Sequence, residues 1–182
     1  QTTVIPHIMG RSYAIEAKIA VPEGGAEGVV VAFADFIGGF ALWVDENGLL
    51  NHSYSFLRVE NYKQTSTKPL PGGEVSVKML FEADENKPGS GGAVTLWANG
   101  EQIGEGRLDK TVPMLPSSYA GMDVSRDNGL VVDLAYEDKA PYVFTGTVKK
   151  VVFDLQPSTS YDHDRALHEH ESIHAVAHGI GA

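Results

Sequence analysis

Hydrophobic side chains recur at every second position over most of the first 155 residues, a period that fits extended strands with one buried face. In SYAIEAKIAV, residues 12–21, Tyr13, Ile15, Ala17, Ile19 and Val21 share one parity, while Ser12, Glu16 and Lys18 take the other. The same alternation runs through Val75, Val77, Met79 and Phe81, through Phe40, Leu42 and Val44, and through Leu50, His52, Tyr54 and Phe56. Turn signals separate these runs. Asn47-Gly48 and Asn99-Gly100 supply the positive φ angles of type I′ hairpins, and PEGGAEG, PLPGG and NKPGSGG cut the chain into strand-length segments. The expectation is an all-β antiparallel sandwich with no long helix before residue 155.

From Ser158 onward the alternation gives way to helix signals. Ser160 is a candidate cap, Asp162 and Asp164 fall in the first turn, and Gly179 is a stop. The division expected is therefore a sandwich over residues 1–157 and a C-terminal α-helical tail over 158–182, about 18 residues of it helical. On that helix Ala166, Leu167, His170, Ile173, His174 and Ala177 share a face that would pack on the sandwich or a neighbouring domain.

The tail contains HESIH, residues 170–174, which matches the H-E-x-x-H pattern of zinc peptidases. His170 and His174 have the spacing for one metal, and Glu171 stands where a base is needed. The third ligand is missing, because His178, two turns from His170 on one straight helix, is about 12 Å away along the axis while zinc bonds are near 2 Å. His170 and His174 are read as an adventitious metal pair, not a peptidase centre. Nucleophile-elbow, phosphate-loop and dinucleotide motifs are all missing from the sequence. Carboxylates abound, including Glu16, Asp35, Asp45 and Glu82, and are read as solvated surface charge.

Composition narrows the partners. A formal net charge of −10, with no basic run longer than Lys149-Lys150, argues against nucleic acid. No apolar stretch approaches the roughly 18 residues of a membrane span. Cysteine is absent, so disulfides and thiolate metal sites are excluded. The chain opens at Gln1, its first Met is Met9, and it lacks a signal-peptide pattern, as in a processed chain or a piece of a longer one.

Two features bear on binding. In MDVSRDNGLVVD, residues 122–133, Asp123, Asp127, Asn128 and Asp133 offer the hard oxygen donors calcium prefers, although Asx residues also build turns by themselves. Trp43 has the opposite parity to Phe40, Leu42 and Val44, and Trp97 the opposite parity to Leu96 and Ala98, so both are expected to point away from the core. Outward indoles mark an interaction surface for a glycan, another domain or the tail, unless a loop covers them.

Five stretches, GAEGVVVAFADFIGGFALWV (residues 25–44), SYSFLRVENYKQTSTKPLPGGEVSVKMLFEAD (53–84), GGAVTLWANGEQIGEGRL (91–108), MDVSRDNGLVVDLAY (122–136) and PYVFTGTVKKVVFDL (141–155), resemble in order and spacing the C-terminal domain of bacterial arylsulfatases. The Gly38-Gly39 strand entry, the turn over residues 65–72 and FTGTVKKV carry most of the likeness. Phe33-Ala34-Asp35 replaces a Gln-Gly-Gly-like run, and Ser125 stands where a Gly is usual before Arg-Asp. The resemblance implies a concanavalin A-like or laminin G-like jelly roll, a bacterial protein of the periplasm or outside the cell, and a sulfatase catalytic domain as partner. Sulfatase chemistry needs a Cys or Ser in C/S-x-P-x-R, and no such motif is present. The chain is thus expected to have no catalytic site or obligatory cofactor and to serve as an accessory domain. The alternative is an independent, lectin-like carbohydrate-binding module.

Overall fold

A computed structural model describes residues 6–113, 121–157 and 173–175. The strands are β1 (Tyr13–Val21), β2 (Gly28–Asp35), β3 (Gly38–Val44), β4 (Leu49–Phe56), β5 (Glu60–Pro69) and β6 (Gly73–Ala83). They continue with β7 (Gly92–Ala98), β8 (Glu101–Leu108), β9 (Met122–Val124), β10 (Thr147–Leu155) and β11 (Ile173–Ala175). They form two sheets, ordered β11-β10-β1-β6-β7-β8 and β5-β4-β3-β2-β9, with antiparallel pairing throughout. The antiparallel sandwich expected from the alternation is the observed fold.

The alternation of β1 becomes burial directly. Ile15, Ala17 and Ile19 are fully enclosed between the sheets, while Glu16 and Lys18 face solvent. Val77 and Met79 on β6, Leu96 on β7, Val151 and Phe153 on β10 and Leu42 and Leu50 on β3 and β4 complete the same core. Phe40 meets Phe153 across the layers, edge to face, with ring centroids 6.0 Å apart. Such a pair adds about 1 kcal/mol beyond the area it buries.

Two hairpins share an Asn-Gly signal but not a turn type. Asn99 and Gly100 both have positive φ, 49° and 81°, as a type I′ turn requires. In the β3–β4 loop only Gly48 is left-handed, at 76°, and Gly48 N–H donates to Asp45 O, so the expected type I′ geometry at Asn47-Gly48 is replaced by a longer loop. Asp45 stabilises it by accepting from the N–H groups of Asn47 and Leu49. At the β2–β3 hairpin a side chain on Gly39 would place its Cβ 2.0 Å from the carbonyl oxygen of Phe33, so this position admits no larger residue.

The tail differs from expectation where it is described. Ile173–Ala175 are extended and pair with Val151–Phe153 of β10, rather than continuing a helix. The open backbone groups of β10 offer a hydrogen-bonding template that an isolated helical turn lacks. His174 therefore lies on a strand. His170 and the rest of the expected helix lie outside the described residues.

One polar pair interrupts the core. His52 Nδ1 lies 2.8 Å from Gln64 Oε1, and Gln64 Nε2 donates to the carbonyl of Arg107. Gly106 makes room for Gln64, since a Cβ there would stand 2.5 Å from Gln64 Cγ. His52 is fully buried and its Nε2 meets no partner, so burial pushes the imidazole down to about 4 against an ordinary 6.5, the bond to Gln64 opposing. Below pH 6.5 the unfolded chain takes up a proton that the folded chain refuses until about pH 4. Stability is therefore expected to fall by roughly 3 kcal/mol across that window as acid is added. Urea midpoints measured at several pH values should show this slope, and His52→Asn should flatten it.

Candidate functional site

Trp43 leaves β3 on the side opposite Leu42 and Val44, as its parity requires, yet only 3% of it is exposed. The connection between β9 and β10 lies over it. Tyr136, in a short 3₁₀ helix over Leu134–Lys139, meets the indole edge to face at 5.0 Å, and Tyr142 lies 6.2 Å away. Val29, Ala32, Ala41 and Val132 close this second core on the outer face of the five-stranded sheet. Trp43 Nε1 donates to Ser53 Oγ at 2.9 Å, and Ser53 Oγ donates to Asp133 at 2.6 Å. The expectation of Trp43 as an open interaction surface is thus corrected: it is the anchor of a covering loop.

The acidic loop is built for the same purpose. Asp127 is buried and accepts from the Val132 N–H and the Tyr136 hydroxyl. Burial pushes its carboxyl above the ordinary carboxylate range. Asp123 accepts from Asn128 N–H, and Asp133 caps the 3₁₀ helix by accepting from Ala135 N–H. Asn128 itself is exposed. Among the described residues no three His, Cys, Asp or Glu side chains gather as a metal site. The calcium candidates Asp123, Asp127 and Asp133 thus each accept turn-building hydrogen bonds in this loop, as Asx residues do.

Trp97 is placed as expected, half-buried on the outer face of the six-stranded sheet. Its Nε1 donates to Thr95 Oγ1, and Lys78 Nζ lies 5.1 Å from the ring centroid. Gln102 stands opposite on β8. The lysine covers part of the ring that a sugar would stack on.

A cleft of about 390 Å³ opens where the β1–β2, β3–β4 and β5–β6 loops converge. Its lining is mostly polar: Glu27, Glu46, Asn47 and Thr145 contribute polar groups, and Val21, Val44 and Leu70 the apolar remainder. Gly24 and Gly25 expose backbone along one wall. The covering loop reaches this rim: Glu27 Oε2 accepts from the Tyr142 hydroxyl at 2.7 Å and from Lys139 Nζ at 3.3 Å, and Lys139 also bonds Glu46 at 3.3 Å. The Tyr142 bond, aided by Lys139, holds the Glu27 carboxyl below its ordinary range, so it is ionised at neutral pH. Sequence reasoning marked PEGGAEG and Asn47-Gly48 only as turns. The residues meet from positions over a hundred apart, and no local pattern joins Glu27 to Lys139 and Tyr142.

No family model matches the chain, and no curated protein does. Among solved structures it is similar to a heptameric SAP-like pentraxin from Limulus polyphemus, at 14% identity and TM-score 0.48 over 81% of this chain and 66% of that one. It is also similar to a proposed carbohydrate-binding protein from Bacteroides ovatus, at 16% identity and TM-score 0.55 over 86% of this chain. The match spans 42% of that longer protein. At 16% identity the likeness to the Bacteroides ovatus protein bears on the fold alone, an antiparallel β-sandwich. Neither structure is a sulfatase, and the arylsulfatase resemblance gains no support from them.

Ser125 holds φ at +66°, a left-handed conformation that costs a non-glycine residue roughly 1 kcal/mol or more. Ser125→Gly is expected to raise stability by about that amount, read as a higher urea midpoint at unchanged slope.

Proposed function

We propose that the chain is a non-catalytic carbohydrate-binding module whose ligand sits in the loop-end cleft. The observation that carries this reading is the cleft's mostly polar lining, an ionised carboxylate, an amide and exposed glycine backbone beside a few apolar groups, in a volume suited to one or two sugar rings. A pyranose has an apolar C–H face and hydroxyls that both donate and accept. Val21 and Leu70 match the first, and Glu27, Glu46 and Asn47 the second. The likeness of the fold to the Bacteroides ovatus protein supports the same reading.

A glycan array followed by calorimetry tests it. Asn47→Ala and Glu46→Gln are each expected to weaken binding about tenfold, the usual effect of removing one polar contact to a ligand. Binding lost in Trp97→Ala but kept in both cleft variants would move the site to the sheet face. Absence of saturable glycan binding to the folded chain would end the proposal.

A second reading, an accessory domain of a sulfatase-type enzyme, is favoured by one surface feature. The hairpin tips at the other end of the sandwich expose Phe36 and Val59, 78% and 74% accessible, and are joined by the Leu57 N–H to Ile37 carbonyl bond. A companion domain would cover this apolar edge. Under that reading Phe36→Asp would lower the melting temperature of a longer, two-domain product and leave that of the isolated chain unchanged.

A further inference from the structure

A second cavity, of about 240 Å³, enters between the sheets at the end opposite the polar cleft. It opens where β1 and β3 begin and where β4 and β6 end. Rings from both layers line it: Tyr13 and Phe81 from the six-stranded sheet, and Phe33, Phe40 and Tyr54 from the five-stranded one. All five belong to the main core, and Tyr13–Phe81 and Phe33–Phe40 meet as tilted pairs with centroids 5.5 and 6.0 Å apart. The core does not close at this end, because Gly10, Gly38, Gly39 and Ala83 bring almost no side-chain bulk. Backbone at Ser55 and Phe33 crowds the places where Gly38 and Gly39 would carry a side chain, so bulk cannot be added there to fill the space.

The lining is predominantly apolar, and its polar side chains are engaged within the protein. Thr111 Oγ1 donates to the Ser90 carbonyl, while Ser90 Oγ donates to the Gly91 carbonyl and accepts from the Glu85 N–H. Lys87 pairs with Glu85 at 2.7 Å. Arg11 and His7 approach one another at 3.4 Å, and neither is free. The two phenols are uncharged walls. Tyr54 oxygen accepts from Val112 N–H, and burial pushes its hydroxyl up to about 12; burial raises Tyr13 further. What the cavity offers a ligand is therefore chiefly ring faces and ring edges.

We infer that this cavity is a binding site for a small apolar molecule of one or two fused rings, held between the two layers at their open end. Size supports that class. An apolar protein cavity of about 150 Å³ takes up benzene, so one of about 240 Å³ has room for a second ring. The walls support it as well. Side chains beside unfilled space lack partner atoms on one side and forfeit dispersion contacts, which an apolar ligand supplies. Aromatic walls receive a further ring edge to face or offset, the arrangements their quadrupoles favour. Because the crowded glycine backbone keeps neighbouring side chains from closing the gap, the site is formed before a ligand arrives. The inference is independent of the carbohydrate reading, which concerns the other end of the molecule.

Calorimetric titration of the full chain with 2-naphthol, and with the single ring of phenol for comparison, tests the inference. Both are expected to bind saturably, 2-naphthol about tenfold tighter because its second ring buries further apolar surface. Ala83→Phe, which puts a ring into the space, should abolish binding of both. Should Ala83→Phe fail to fold, methyl resonances of Ile8, Ile37, Ala83 and Val112 in the unmodified chain decide, because 2-naphthol should shift them and leave those of Val21 and Leu70 at the polar cleft unmoved. No saturable binding, equal affinity for the two probes, binding kept by a folded Ala83→Phe chain, or shifts confined to other parts of the molecule would overturn the inference.

Discussion

The indole of Trp43 joins the sandwich to everything built on its outer face. Removing so large a side chain from water supplies a driving force that a polar connection of some twenty residues could not generate alone. Tyr136 and Tyr142 approach it at 5.0 and 6.2 Å, and the Trp43–Ser53–Asp133 relay fixes the register in which they do so. Because Tyr142 is held there, its hydroxyl reaches Glu27, and because the 3₁₀ helix is held there, Lys139 falls between Glu27 and Glu46. The rim of the polar cleft is thus a consequence of aromatic packing one layer away.

The sandwich was legible wherever one face of a strand meets water. β1 shows it most directly, with Glu16 and Lys18 marking the wet side of an otherwise apolar run. The centre of the five-stranded sheet is harder to read, because β3 is buried at every position from Gly38 to Val44 and β2 carries the unbroken run Val29-Val30-Val31. Two-sided burial erases the alternation that one-sided burial writes. Trp43 and Trp97 show the same limit from the other side. Their parities are equivalent and both point outward, but only Trp43 is covered, by residues some ninety positions downstream. Parity fixes direction and carries no information about what lies in that direction.

Local chemistry was readable in kind but not in use. Asp123, Asp127 and Asp133 were recognisable as oxygen donors on a loop, and either a cation or backbone N–H groups could have satisfied them. In the structure each carboxylate accepts from N–H or O–H donors within its own segment or from Ser53, contacts that linear spacing does not specify. Ser125 is a different case. Its positive φ is a backbone conformation that glycine adopts without penalty and serine does not, and no neighbouring residue announces it.

The two ends of the molecule have been made chemically unlike by what their loops carry. At the Asn47 end, glycine-rich connections leave backbone exposed and the carboxylates of Glu27 and Glu46 are already oriented by Lys139, with Glu27 Oε1 taking part in none of those bonds. A ligand hydroxyl can join such an array without displacing a contact or ordering a side chain, so little of its binding free energy is lost to reorganisation. At the Phe36 end the β2–β3 and β4–β5 connections are two and three residues long, and Gly10, Gly38 and Gly39 leave space between the aromatic side chains. One rigid core therefore supports a hydrogen-bonding surface and an apolar recess on opposite sides, and neither requires the core to move.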